Sequence, residues 1–206
     1  MPILPLIRES MVRSHARAIE NAILAGNNSA NGVFSSGSFE GLIQKAAQDD
    51  SSGTHVTAST VAFASESLTA ANLLDMRKKM GKYGINPSEV LYIVNQQEYY
   101  NLLSDAEFQD ANLVGDMATK LSGEIGQVFG SRILLVDEFA SPAVSKVHAV
   151  AVYPRNYVMP RLRGVTVESD YDVENQRRVL VASQRLGFTD LIDGATSVHI
   201  RSYKAS

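Results

Sequence analysis

Four acidic side chains at alternate positions, Glu168, Asp170, Asp172 and Glu174, have the spacing in this sequence that most suggests chemistry. An extended strand would carry all four on one face, with neighbours about 6.6 Å apart. Paired carboxylates can transfer protons or hold divalent cations, but both tasks need side chains that converge in a concavity. A row on one strand face does not converge. Three interpretations stay open: a solvated face, a surface complementary to arginines of another subunit, and a metal site.

The other residues with catalytic potential form no recognisable motif. The run from Gly123 to Gly130 matches neither a dinucleotide fingerprint nor a phosphate-binding loop. Cysteine is absent, which excludes thiol nucleophiles, disulfides and thiolate metal sites. The histidines are isolated from one another; they are His15, His55, His148 and His199. Because no acid and base can be paired from the sequence, we predict no enzyme activity, no catalytic or metal-binding residues and no cofactor.

Composition and charge exclude further classes of protein. The chain has 206 residues, of which 45% are hydrophobic, an ordinary share for a globular protein. No apolar run approaches the length of a membrane-spanning helix. Residues 49–154 carry 7 basic and 13 acidic side chains, which argues against a surface for duplex nucleic acid in that part of the chain.

Helical periodicity between Leu6 and Ala25 predicts one long amphipathic helix. Its apolar residues form a narrow stripe, and Arg13 and Arg17 lie one turn apart on the polar remainder. Gly26, followed by two asparagines, predicts the end of the helix. A rod of roughly 30 Å is long for so small a protein.

The middle of the chain predicts an α/β layer. A second helix is expected from Ser65 to Met80, capped by Ser65 or Ser67. A short helix is expected over Gln96–Leu103. Strands are expected at Val90–Val94, which reads as buried on both faces, and at Arg132–Val136, Val147–Tyr153 and Thr196–Tyr203.

The acidic row belongs to a predicted long β-hairpin. Alternation runs from Val165 to Glu174, Asn175 and Gln176 form the turn, and Arg177–Leu186 returns. With this two-residue turn we expect Asp172 to face Arg177. Asp170 and Glu168 are then expected to face Val179 and Val181. We therefore expect that the hairpin cannot neutralise its own acidic row.

The order of these elements resembles a known family. The relevant stretches are the helix end Ala22–Asn27, a glycine-rich loop leading to Gly41-Leu42-Ile43, the runs Tyr92–Leu103 and Phe129–Val136, the hairpin and the closing strand. Together they are similar to the major capsid protein of tailed bacteriophages, which has the Hong Kong 97-type capsid fold. The resemblance covers essentially the whole chain and rests on the order of elements.

This resemblance implies an α+β fold with two domains. Residues 1–47 and 154–187 would form a peripheral domain with the long spine helix and the hairpin. Residues 48–153 and 188–206 would form an axial α/β domain. Family members carry an N-terminal arm and an extended loop before the spine helix, so we expect a truncated or processed product, or a shortened relative. Some relatives form a Lys–Asn crosslink; Asn175 lies near the matching tip, but we predict no crosslink because the lysine-bearing loop is missing.

The implied function is self-assembly into an icosahedral virion shell that encloses phage or prophage DNA without sequence-specific binding, built in the bacterial cytoplasm without a membrane. The implied partners are copies of the chain in hexamers and pentamers, with scaffolding protein, portal and maturation protease. Two alternatives stay open: an encapsulin-like nanocompartment shell, and an unrelated α/β hydrolase or ligand-binding domain. The candidate interface residues are the charged groups of the spine and hairpin: Arg13, Arg17, Glu168, Asp170, Asp172, Glu174, Arg177 and Arg178.

Overall fold

The computed structural model describes residues 3–26, 39–47, 68–104, 126–137, 139, 147–191 and 198–202. The helices are α1 (Ile3–Ala25), α2 (Leu42–Ala47), α3 (Ala70–Lys79) and α4 (Gln96–Ser104). The strands are β1 (Leu91–Asn95), β2 (Gln127–Val128), β3 (Ser131–Val136), β4 (Val147–Val152), β5 (Tyr157–Val158), β6 (Arg161–Asp172), β7 (Arg177–Leu186), β8 (Thr189–Asp190) and β9 (Val198–Ser202). Helices and strands are mixed along the chain, which makes the fold α+β.

A five-stranded sheet forms the centre, with strand order β2-β3-β1-β4-β9. β1 runs parallel to β3 and antiparallel to β4, and β9 joins the outer side of β4. The expectation that the first strand is buried on both faces is confirmed, because Tyr92 to Asn95 are all buried. Such a strand needs a layer of side chains on each side of the sheet.

Alternate side chains of β1 and β4 point into two separate apolar cores. Tyr92 and Val94 pack with α3 and α4 on one face of the sheet, and Ile93 packs with the end of α1 and with α2 on the other. The first core includes Leu68, Leu73, Met76, Met80, Leu102, Ala149 and Ala151. The second includes Leu24, Leu42, Ala46, Phe139, Val150 and Val152.

The predicted long helix is confirmed as α1, which begins three residues earlier than expected. It ends where the Gly26 N–H donates to the carbonyl of Ala22 at 2.9 Å. The Gly41 N–H donates to the Gly26 carbonyl at 2.7 Å, which brings α2 against this end. A Cβ atom on Gly41 would lie 2.6 Å from the Gly26 nitrogen. Only glycine allows this approach, so the C-terminal end of α1 is fixed on the sheet while its first half extends away from the core.

The second helix starts later than the sequence predicts. α3 begins at Ala70, its N-cap is Thr69, and the predicted caps Ser65 and Ser67 lie outside the described residues. The Thr69 hydroxyl accepts from Asn72 Nδ2 at 2.5 Å instead of capping the backbone. The Leu68 N–H, just before the helix, donates to a Glu98 carboxylate oxygen at 2.7 Å. A buried tertiary partner therefore holds the residue that precedes Thr69 and α3.

The long hairpin is confirmed, but its turn is not the predicted one. β6 and β7 pair with Asp172 opposite Arg177, and four residues, Val173 to Gln176, connect them. The expected two-residue turn is therefore wrong, and Glu174 lies in the connection and not on the strand face. The Asp172 carboxylate accepts from both the backbone N–H and the side-chain amide of Asn175, at 3.2 and 2.9 Å. This local hydrogen bonding draws the chain into a wider turn.

Candidate subunit interface

The hairpin is a two-stranded sheet that pairs with no other described strand. Directly paired residues share a face, so Glu168, Asp170 and Asp172 lie on the same side as Val181, Val179 and Arg177. The other side carries Val167, Ser169 and Tyr171 with Ala182, Leu180 and Arg178. Apolar side chains are exposed on both sides, including Tyr171, Val179 and Val181. A ribbon with apolar groups exposed on both faces is typical of an interaction surface.

The acidic row is partly neutralised within the hairpin, so the expectation that it cannot be is wrong. Glu168 Oε1 accepts from Arg163 Nη2 at 2.9 Å, five residues earlier on the same strand. The predicted pairing of Glu168 and Asp170 with valines is confirmed across the strands. Alternation along a strand predicts partners across the hairpin. Backbone irregularities between Arg161 and Thr166 also allow this contact within one strand. Asp170 accepts the N–H of Tyr171 at 2.8 Å and stays exposed.

Asp172 is the most constrained member of the row. Arg177 Nε lies 3.3 Å from its Oδ2 atom, in addition to the Asn175 contacts. Hydrogen bonds from Asn175 and, more weakly, Arg177 hold the pKa of Asp172 below its ordinary value. Its predicted neighbour Arg177 is thus brought to it, while Arg178 faces Tyr171 on the opposite side of the ribbon.

Arg13, a basic candidate of the long helix, pairs along that helix with Glu9. Arg13 Nη2 donates to Glu9 Oε1 at 2.6 Å along the helix, with 79% of the Arg13 side chain exposed. Arg17 is also exposed. Such exposed i, i+4 pairs hold little energy, so Arg13 can exchange its partner at small cost. Arg13 therefore remains available for contacts outside the chain.

A groove of about 490 Å³ runs between α1 and the hairpin. His15, Ile19 and Ala22 line it from the helix, and Gln184, Arg185 and Leu186 line it from β7. The Gln184 Oε1 atom is buried there without a hydrogen-bond partner among the described residues. The helix and the ribbon therefore lie side by side without close packing.

The acid–base pair that the sequence analysis missed lies in the interior. His148 Nδ1 lies 2.6 Å from Glu98 Oε1, and only 5% and 1% of these side chains are exposed. Glu98 Oε2 accepts from the Leu68 N–H and, at 3.3 Å, from Asn101 Nδ2. Burial opposes ionisation, but these hydrogen bonds together hold the pKa of Glu98 below its ordinary value.

This pair has the chemistry of a general acid and base but not the access. Neither groove lined by the exposed parts of α1 contains it. Its contacts join α4, β4 and Leu68, which precedes the N-cap of α3. The pair therefore has a structural role. Glu98 lies one turn before buried Leu102 in α4, and this spacing is the signal that could have placed it on the buried face.

Two of the three remaining histidines lie among the described residues. His15 lines the groove beside the hairpin, His55 lies outside the described residues, and His199 lies on β9. Within the described ranges, no cluster of three or more histidine, aspartate and glutamate side chains is arranged to hold a metal ion. None of the helices described is long and apolar enough to cross a membrane.

The sequence and the fold of this chain are similar to those of known proteins. No family model matches the chain. The chain is 35% identical over 184 residues to the major capsid protein of Escherichia phage T5. This match covers 89% of this chain and 38% of that protein. The chain therefore spans well under half the length of this relative. Its structure superposes on the capsid of an empty GTA particle with a TM-score of 0.72 and 16% identity, covering 98% of this chain and 67% of the other.

The chain has a phage capsid fold. The resemblance to phage major capsid proteins that the sequence suggested is confirmed. Another protein with this capsid fold is the SrpI encapsulin of Synechococcus elongatus PCC 7942, which matches with a TM-score of 0.56 and 12% identity over 95% of this chain and 65% of that one. Among the described residues, α1 and the hairpin both carry exposed large apolar side chains, including Leu6, Val12 and Val181.

Proposed function

We propose that this chain is a phage or prophage major capsid protein. Copies of it would be the subunits of an icosahedral shell that forms by self-assembly. The observation that carries this function is the 35% identity over 184 residues to a protein of that name. Fold similarity alone would not separate a virion shell from other shells with the same fold.

The finer assignment is the Hong Kong 97-type fold with two domains. Residues 1–47 and 154–187 would form the peripheral domain, and residues 48–153 and 188–206 the axial domain. This division is supported by the sheets: among the described strands, those of the hairpin pair with each other and with no third strand, while β1, β3, β4 and β9 share one sheet. The contacts of the end of α1 with α2 and with the second core would then hold the peripheral rod against the axial domain.

The proposed mechanism is association through repeated weak contacts. Axial loops would join subunits into hexamers and pentamers, and the spine helix and hairpin would pack across the junctions between these rings. The exposed valines of the hairpin supply apolar area, and Asp170 supplies charge for an arginine of the neighbouring copy. Closed symmetry multiplies each contact, so no single one needs to be strong.

The remaining assignments follow from this function. The shell would enclose DNA without sequence-specific contacts, be located in the virion, and be assembled in the cytoplasm of the bacterial host. Scaffolding protein, portal and maturation protease are the proposed additional partners. The chain would be a structural protein and not an enzyme, which is supported by the buried position of the Glu98–His148 pair.

Electron microscopy of the complete gene product, expressed in a bacterial host, tests the proposal. We expect closed shells of uniform diameter. A folded product that stays monomeric over a wide range of concentration and salt would overturn the function. Shells that package an enzyme and no DNA would instead support the encapsulin alternative, since the SrpI shell has a similar fold. Terminase and portal genes beside this gene would support the capsid assignment, and a cargo-enzyme gene would support the alternative.

A further inference from the structure

A second groove, of about 360 Å³, lies on the other side of α1. The walls are apolar: Ile23 and Leu24 come from α1, Leu42 from α2, and Leu134 and Val136 from β3. Leu134 is 47% exposed, as is its neighbour Leu135. No described strand pairs with the outer edge of β3 beyond Arg132. Within the described part of the chain, this groove is therefore an open apolar surface at the junction of helix and sheet.

The charged residues in the lining of this groove are both acidic. They are Glu20 on α1 and Asp137 just after β3. Neither makes an ion pair with a described residue. An apolar segment with a positive charge beside it would satisfy both the walls and these two carboxylates.

The first turns of α1 have this composition. Leu6 is 67% exposed and Ile7 is 41% exposed, and Arg8 follows them without an ion pair among the described residues. No acidic residue lies in the first turn of the helix. The positive end of the helix dipole is therefore not neutralised locally, which adds to the charge of Arg8.

The groove and this segment cannot meet within one chain. Both belong to the same helix, and Leu6 and Ile23 are separated by about 26 Å at 1.5 Å per residue. A rigid rod cannot fold its own beginning onto its end. First turns of α1 that occupy this groove must therefore belong to another copy of the chain.

We infer that the groove receives the first turns of α1 from a second copy of this chain. Leu6 and Ile7 would enter between Ile23 and Leu134, and Arg8 would lie beside Glu20 and Asp137. The contact is head-to-tail, because the two surfaces differ. Such a contact is repeated from copy to copy and closes into a ring when its rotation allows. This inference rests on the proposed self-association and adds the contact that would produce it.

The absence of cysteine from the sequence permits a direct test by crosslinking. A Leu6→Cys/Leu134→Cys variant should form disulfides between copies on mild oxidation and give a ladder beyond the dimer on a non-reducing gel. The control is Leu6→Cys/Ile85→Cys, because Ile85 is 76% exposed and does not line the groove. We expect the test pair to react roughly tenfold faster than the control, since docked thiols have a raised effective concentration. A test pair no faster than the control would overturn the inference.

Charge exchange provides the second arm of the test. Glu20→Lys/Asp137→Lys, introduced into the Leu6→Cys/Leu134→Cys background, should slow crosslinking about threefold or more, as loss of rim charges does. Adding Arg8→Glu should restore the rate, which a purely structural effect would not do. No slowing, or slowing without rescue, would contradict the charge pairing.

Parallel light scattering and microscopy separate this inference from the proposed function. Shells that form from the wild type while the test pair reacts no faster than the control would reject this contact and leave the capsid function standing. A wild-type chain that forms neither oligomers nor shells would reject both.

Discussion

The Nδ1 atom of His148 lies 2.6 Å from Oε1 of Glu98, and the two side chains connect β4 to α4 inside the protein. The second carboxylate oxygen of Glu98 holds the Leu68 N–H, so one side chain joins three segments of the chain. Removing one partner of such a buried group leaves the others without hydrogen bonds, and that loss dominates the energetic cost. The pair is therefore a stability element of the five-stranded sheet.

Replacement of Glu98 by glutamine should destabilise the protein by about 2–4 kcal/mol at neutral pH, since it removes a buried charge with several donors. The folded-state pKa of Glu98 is lowered. Its contribution is therefore present above the range where an ordinary glutamate titrates and is lost as the pH falls through the lowered pKa. Urea unfolding at neutral and acidic pH should show a smaller acid-induced loss in Glu98→Gln than in the wild type.

The control for this measurement is Glu168→Gln, because Glu168 is exposed and its ion pair with Arg163 lies on the surface. We expect that variant to change the free energy of unfolding by less than about 1 kcal/mol. A Glu98→Gln protein as stable as the control at neutral pH would contradict the assigned role of the buried pair.

Substitution of Gly41 by alanine should destabilise the junction of α1 with α2. The new Cβ atom would lie 2.6 Å from the nitrogen of Gly26, so the backbone must move apart. We expect a loss of about 1–3 kcal/mol in thermal or urea unfolding, the usual range for overpacking. Gly164→Ala is the matched control, since nothing lies within 4 Å of a Cβ there. Equal stability of the two variants would show that α1 and α2 separate freely.

Arg77 should not be replaceable by lysine. Its guanidinium donates to the carbonyl oxygens of Gly84 at 2.6 Å, Ile85 at 3.0 Å and Phe129 at 3.2 Å. A lysine ammonium cannot match this planar set of donors, so Arg77→Lys should cost about 1–2 kcal/mol of unfolding free energy. Arg161→Lys, at an exposed position on β6, should leave the unfolding midpoint unchanged. If both substitutions behave alike, the three carbonyl contacts contribute no stability.

Charge reversal of the acidic row should impair assembly without unfolding the subunit. We expect Asp170→Lys/Asp172→Lys to lower the yield of particles seen by electron microscopy, because the partner arginines of a neighbouring copy would be repelled. Circular dichroism should show a folded subunit, since the hairpin lies outside both apolar cores. Asp75→Lys tests for a general charge effect, as Asp75 is exposed and lies in α3. Intact particles of normal yield from the double variant would refute the role of the row.

Local patterns predicted the elements well where one periodicity governed each segment. The long helix α1 and the buried strand β1 follow from spacing alone. The turn after Asp172 was predicted too short because its hydrogen bonds to Asn175 are not visible as an alternation.

Tertiary contacts were harder to predict. Glu98 and His148 are 50 residues apart, and only the pairing of β1 with β4 brings their segments together. The register of β4 against β9 shifts between Val147 and Ala149, so His148 lies at an irregularity that simple alternation does not anticipate. The same holds for the groove beside α1, which needs side chains from several elements. Sequence therefore predicts which segments are exposed, but not which concavities they form.

The hairpin also provides a built-in reporter of association. Each of its two strands has an outer edge whose amides lack a partner strand among the described residues. The side chains on both faces are exposed or half-buried. These amides should exchange their hydrogens for deuterium quickly in a lone molecule, because local opening there breaks few contacts. Covering by a neighbour would slow that exchange, so deuterium uptake along β6 and β7 can follow shell growth in solution without any label.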